Sequence, residues 1–281
     1  MPVLILGTAQ WGADYGVTNA IGRPTDADVE RQVVLARACG ITSLDTASAY
    51  GDAHERIRIL APEFAVVTKV SGARPDQVAE LVDDARVALG RPMLNGVLLH
   101  DWDALDARTA DAAARELELQ RALGVTSAVG VSVYDEGAVA RALGTFESLD
   151  IVQVPANALD RRLDSSAILD EVRVRGGRVQ VRSALLQGVL GNEFENPFAA
   201  HPAVQAWFAH CRAQGVTPLA TALAHVKALP WCDEVVIGVA DASQLEQIID
   251  AWSSVESHLA PVSLGSEDLA LTDPRTWLRA S

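Results

Sequence analysis

The chain has 281 residues, 49% hydrophobic and 5% aromatic, with a formal charge of −14. That length suits one α/β barrel of about 250 residues, or two ordinary domains. The acidic balance argues against sequence-independent binding to nucleic acid or to an anionic membrane, and no apolar run approaches a bilayer span.

In chain order, the first apolar run is 3–7, within MPVLILGTAQWG. This N-terminus has no early Lys or Arg and too short an apolar stretch for a signal peptide, so a cytoplasmic protein is expected. Seven more strand-like runs follow at 41–45, 64–70, 96–100, 127–133, 151–154, 177–183 and 234–239. Segments of helical period separate them, among them DADVERQVVLARACG, RPDQVAELVDDARVALG and TADAAARELELQRALG. Gly40, Gly90, Gly124, Gly144, Gly176 and Gly215 stand where left-handed helix caps are expected.

Eight strands alternating with helices, without a linker rich in Pro or Ser, predict an α/β fold: a single (β/α)8 TIM barrel over residues 1–281. A doubly wound open sheet is the competing architecture. It is weakened because GTAQWGADYG, rather than a GxGxxG turn, follows the first strand. Two places break simple alternation: the long loop QGVLGNEFENPFAAHP after strand seven, and two helical segments before strand eight. The tail after Trp252 is polar and turn-rich, placed to close over a barrel end. Cys39, Cys211 and Cys232 are odd in number and lack CxxC spacing, so they read as reduced thiols rather than a disulfide or zinc framework.

In such barrels the C-terminal strand ends carry the chemistry. Asp45 ends the second run, Tyr50 follows five residues later, Lys69 lies near the end of the third and His100 closes the fourth. Singly, each has a bland reading as a helix cap, a surface charge or a satisfied polar residue. Together, on three successive strand ends, they can deliver a proton to a carbonyl oxygen. A free phenol has a pKa near 10, and Lys69 against Tyr50 would lower it. Asp45 would keep the lysine charged and fixed, while His100 orients the carbonyl. General acid work of this kind contributes about 10²–10⁴-fold. Tyr134 has no nearby lysine and is given no catalytic role.

The segments LGTAQWG, GITSLDTASAYGDAHE, VVTKV, VLLHD, GVSVYD, VQVPAN, RSALLQGVL and VIGVADASQLEQII resemble, in order and over nearly the whole chain, the aldo-keto reductase superfamily and especially its bacterial members. The resemblance carries the family tetrad onto Asp45, Tyr50, Lys69 and His100. It implies reversible NADPH-dependent reduction of an aldehyde, ketone or sugar carbonyl, with the proton from Tyr50 and no metal. It also implies that Ser132, Gln153 and Asn157 hold the nicotinamide amide, although Val133 stands where the family often has a second Asn. Arg182 would stack on the nicotinamide or reach a phosphate, and Ser183, Leu185 and Gln187 match the loop over the pyrophosphate.

The loop after strand eight, from Gly238 to Gln247, contains no Lys or Arg to grip a 2′-phosphate, and Asp241 would repel one. Hydrogen bonds to charged groups are worth about 1.5–3 kcal/mol each, so losing two could erase an NADPH preference. Gln244 and Gln247 could hold the adenosine instead, which makes NADH the alternative coenzyme. Trp11, Tyr15 and Trp102 would line an open, shallow substrate pocket suited to a sugar ring or small cyclic ketone.

Two other readings keep the barrel. A Tyr/Lys/His set also serves proton abstraction beside a carbonyl, giving an epimerase, dehydratase or lyase. A non-catalytic cofactor-binding subunit is the third, against which the intact tetrad argues. The expected partner is a small-molecule carbonyl compound, with neither nucleic acid nor membrane.

Overall fold

The strand runs are short, rich in Val, Leu and Ile, and apolar on both faces, as strands covered on both sides must be. In the computed structural model, which describes residues 1–254 and 260–277, eight of them close into a parallel barrel in sequence order. They are β1 (Val3–Gly7), β2 (Ser43–Asp45), β3 (Ala65–Val70), β4 (Gly96–Leu99), β5 (Val129–Ser132), β6 (Ile151–Pro155), β7 (Arg178–Arg182) and β8 (Glu234–Gly238). Pairing of β8 with β1 over five residues, Val3↔Glu234 to Gly7↔Gly238, excludes the open doubly wound sheet. Register then aligns the strand ends: Gly7 with Asp45, Ser132 with Gln153, and Pro155 with Arg182.

The helices are α1 (Ala9–Gly12), α2 (Asp26–Ala38), α3 (Ala53–Leu60), α4 (Val78–Ala88), α5 (Ala107–Ala122), α6 (Glu136–Thr145), α7 (Ala167–Val174), α8 (Pro202–Gln214), α9 (Pro218–Lys227), α10 (Ala242–Ser254) and α11 (Leu269–Thr272). Their starts are set by side chains that accept otherwise unpaired backbone N–H groups. Thr25 and Asp28 form a reciprocal capping box on α2, and Asp106, Asp135 and Thr217 cap α5, α6 and α9. The second strand begins later than the apolar run suggests, because Gly40 is left-handed and the Ile41 N–H turns back to Ala36 O. Gly144 is not a left-handed cap: it lies inside α6, which ends at extended Phe146, whose ring packs on Trp102 at 5.6 Å.

The main core lies between the barrel and the helices. A second apolar cluster joins Leu186, Val189 and Leu190 of the loop after β7 to Trp207 and Phe208 of α8 and Leu271 of α11. It seats the C-terminal segment beside the C-terminal rim of the barrel. No helix among the described residues is long and apolar enough to cross a membrane.

Candidate active site

Two glycines place Tyr50. A Cβ on Gly12 would lie 1.7 Å from Tyr50 O, and one on Gly51, at φ +54, would lie 2.3 Å from Gly12 O. The loop after β1 and the loop after β2 therefore meet backbone to backbone, which only glycine allows. The Tyr50 ring stands edge-on to His100 with centroids 6.1 Å apart and planes at 86°.

Beneath them Lys69 is buried to 1% exposure and donates to Asp45 Oδ1 at 2.6 Å, Asp45 Oδ2 at 2.8 Å and Thr46 O at 2.9 Å. These three acceptors match the three ammonium protons. Nζ lies 5.4 Å from the Tyr50 ring centroid. The lysine thus serves Asp45 first, unlike the expected direct activation of the phenol. Burial draws the Lys69 ammonium below its ordinary value, and the Asp45 charge opposes this. The Tyr50 phenol is raised rather than lowered, by burial first and by the Asp45 charge second, with Arg182 opposing. His100 is pulled down to about 4 by burial, with Lys69 and Arg182 adding to it.

Gln153 is fully buried in β6. Its amide donates to Asp45 Oδ2 at 2.7 Å and to Gln180 Oε1 at 3.0 Å, while its oxygen takes Ser132 Oγ at 3.4 Å. Gln180 continues to Glu234 Oε2 at 2.8 Å. Ser132 and Gln153 therefore sit at the site but are engaged with its floor. Asn157 is engaged with its own loop: Oδ1 accepts from Leu159 and Asp160 N–H at 3.0 and 2.9 Å, and Nδ2 donates to Ser183 O at 3.2 Å.

The loop after β7 carries three non-glycine residues at positive φ, Ser183, Leu186 and Gln187. Such conformations cost about 1–3 kcal/mol and cluster at ligand clamps. Gln187 is tied to the first loop, accepting from Val17 N–H at 3.2 Å through its side chain and from Thr18 Oγ at 3.0 Å through its carbonyl. Leu185 packs between the two apolar clusters. At the end of β8 a Cβ on Gly238 would meet Gln10 Oε1 at 2.5 Å, and that buried oxygen has no partner among the described residues. Asp241 Oδ1 accepts from Gln244 N–H at 2.8 Å, and Gln244 Oε1 accepts from Ala240 N–H at 2.9 Å. Gln247 is exposed on α10.

The aromatic wall expected from sequence is not built as expected. Trp11 and Trp102 are fully buried, their indole N–H groups donating to Gln32 Oε1 at 2.8 Å and Ala138 O at 3.1 Å. Both are core residues with no surface for a substrate. Tyr15 is 42% exposed, and its phenol lies within the fields of Tyr50 and Arg182. Sequence reasoning missed Gln180, and it weighed Tyr134 only to give it no catalytic role. A signal for the first was present: Val-Gln-Val recurs in β6 and β7, and Gln153 pairs in register with Gln180. Tyr134 lies against Arg182, 4.0 Å from its ring centroid to the guanidinium carbon.

A barrel with titratable groups gathered at its C-terminal rim defines the class, an enzyme built on a (β/α)8 scaffold. Residues 3–258 match the model of the aldo/keto reductase family, and the chain belongs to that family of oxidoreductases. No curated protein matches it. Among solved structures, the aldo-keto reductase AKR11C1 from Bacillus halodurans, in its holo form, is 16% identical with a TM-score of 0.74, covering 90% of this chain and 87% of that one. The glycerol dehydrogenase AKR11B4 from Gluconobacter oxydans is 19% identical with a TM-score of 0.72, covering 99% of this chain and 94% of that one. At these identities the likeness is one of fold.

Proposed function

We propose that the chain reduces a small aldehyde, ketone or sugar carbonyl reversibly, with Tyr50 as general acid and NADH as the favoured coenzyme. The observation that carries this reading is the edge-on Tyr50–His100 pair above the buried Lys69–Asp45 pair. A raised phenol pKa keeps Tyr50 protonated at neutral pH, the form an acid needs. A neutral His100, held so by its lowered pKa, offers a hydrogen bond to the carbonyl oxygen without adding charge. As the proton leaves, negative charge grows on the Tyr50 oxygen, and the nearby Lys69 and Arg182 cations stabilise it. Asp45 and Gln153 hold Lys69 in place for this.

When bound, a nicotinamide supplies the hydride. The residues present fit a dinucleotide in part. Gln10 Oε1, buried and unpartnered beside Gly238, suits a ribose hydroxyl, and the strained 183–187 loop is the clamp that would cover a pyrophosphate. A 2′-phosphate fits poorly, because residues 238–247 hold no cation and the Asp241 carboxylate caps the start of α10.

Titration of NADH and then NADPH into the protein, read from tryptophan quenching, tests the reading directly. Tight NADH binding followed by turnover of a carbonyl panel is expected. Binding of neither coenzyme overturns it and moves the search to non-redox carbonyl chemistry.

A further inference from the structure

Tyr134, just beyond β5, carries a guanidinium on each face: Arg182 Cζ is 4.0 Å and Arg275 Cζ is 3.5 Å from its ring centroid. Two guanidinium carbons that near one centroid would overlap on a single face, so they occupy opposite faces. Arg182 comes from the end of β7. Its remaining contacts are long, Nε to Ser132 Oγ and Nη2 to Val133 O, both at 3.3 Å, where N–H···O bonds usually measure about 2.9–3.0 Å. The ring is the close partner.

Arg275 comes from the C-terminal segment after α11, beyond the residues that match the family model. Asp273, itself 3% exposed, holds it with Nε at 3.0 Å and Nη2 at 2.6 Å. The charge of Arg275 is compensated in this way. Arg182 has no carboxylate partner among the described residues, in a chain of net charge −14 rich in such partners.

We propose that Tyr134 is a positioning residue: clamped between Arg275 and Arg182, it holds the Arg182 guanidinium at the catalytic rim, so that the C-terminal segment sets the field around Tyr50 and His100. The importance of that field rests on the proposed function, but the clamp is a matter of geometry. Without the ring, Arg182 keeps two long hydrogen bonds and a flexible stem, and the surrounding carboxylates draw it away.

His100 reports where Arg182 is. It is faced by Lys69 from β3, Arg182 from β7, Asp45 from β2, its neighbour Asp101 and the Tyr50 ring. The two cations depress its pKa and the two carboxylates raise it. Departure of Arg182 moves its titration up. His54 is an internal control, because its lowering comes from burial and from the Lys69 charge rather than from Arg182.

The experiment follows the imidazole carbon-bound protons by NMR from pH 3 to 8, without cofactor or substrate, assigning His100 by its loss in His100→Gln. Tyr134→Leu is expected to raise the His100 midpoint by about half a pKa unit or more, leaving His54 unmoved. Tyr134→Phe retains the ring and keeps the original midpoint. Arg275→Met, which spares the ring but removes its outer guanidinium, gives a smaller rise in the same direction. An unchanged His100 midpoint in both Tyr134→Leu and Arg275→Met overturns the proposal, as does an equal shift of His54 or equal behaviour of Phe and Leu. No turnover is required, so an inactive protein that shows the shift sinks the reductase reading and leaves the clamp standing.

Discussion

Gln153 donates a 2.7 Å hydrogen bond to Asp45 Oδ2 although the two lie 108 residues apart in the chain. The same carboxylate binds Lys69, and Gln153 in turn binds Gln180, which binds Glu234. A polar ladder therefore crosses the barrel interior from the C-terminal rim toward the opposite face. Each rung satisfies the next, which is what keeps so many buried polar groups tolerable.

Breaking the top of that ladder is expected to be costly. Asp45→Asn leaves the Lys69 ammonium at 1% exposure without its carboxylate. Removing one partner of a buried pair costs about 3–5 kcal/mol. Urea unfolding measures it, and a loss under about 1 kcal/mol would mean the lysine is not held as a charge.

Two histidines predict an acid-sensitive fold. His54 and His100 titrate at about 4, pulled down from 6.5 mainly by burial. The unfolded chain takes up these protons near pH 6.5, and the folded one refuses them until about pH 4. Their stabilisation is complete above pH 6.5 and declines as the pH falls through this window. A combined loss of about 2–4 kcal/mol between pH 7 and 4 is expected, discounted because His100 is only partly buried. Urea midpoints across the range check the slope, and His54→Gln should flatten part of it.

Gly12 is a site residue that carries no chemistry. Gly12→Ala would thrust a methyl group against Tyr50 O, where a Cβ has 1.7 Å. The Tyr50 loop must shift, at about 1–3 kcal/mol in stability, with a loss of turnover larger than the loss of coenzyme affinity. Crystallography and steady-state kinetics of the variant together check this.

If Tyr50 is the acid, Tyr50→Phe lowers kcat by about 10²–10⁴-fold while coenzyme titration is unchanged. Retained turnover would exclude Tyr50 as the proton donor.

The coenzyme preference should turn on Asp241. Asp241→Ser keeps a side-chain acceptor for the Gln244 N–H and removes the charge. The ratio of NADPH to NADH affinity is expected to rise about tenfold, the effect of removing one close like charge. Competitive fluorescence titration reads the ratio directly.

Much of the site is legible in one dimension because a parallel barrel places each strand end on one rim. Once alternating apolar runs are recognised, Asp45, Lys69 and His100 fall there by counting, whereas Ser132, Gln153 and Arg182 come from the family resemblance. Apolar periodicity and Gly-terminated helices likewise determined the barrel, the strand order and the paired helices before β8, because those signals are local. What tertiary structure alone decided is contact between distant segments. Whether Trp11 and Trp102 face a pocket or a core depends on Gln32 and Ala138 arriving with acceptors. Which group Lys69 serves depends on the proximity of Asp45 and Thr46 O. Tyr134 joins the site only because Arg182 and the C-terminal Arg275 meet on its two faces. Composition cannot encode those meetings, since side-chain direction and partner distance arise only when the barrel closes.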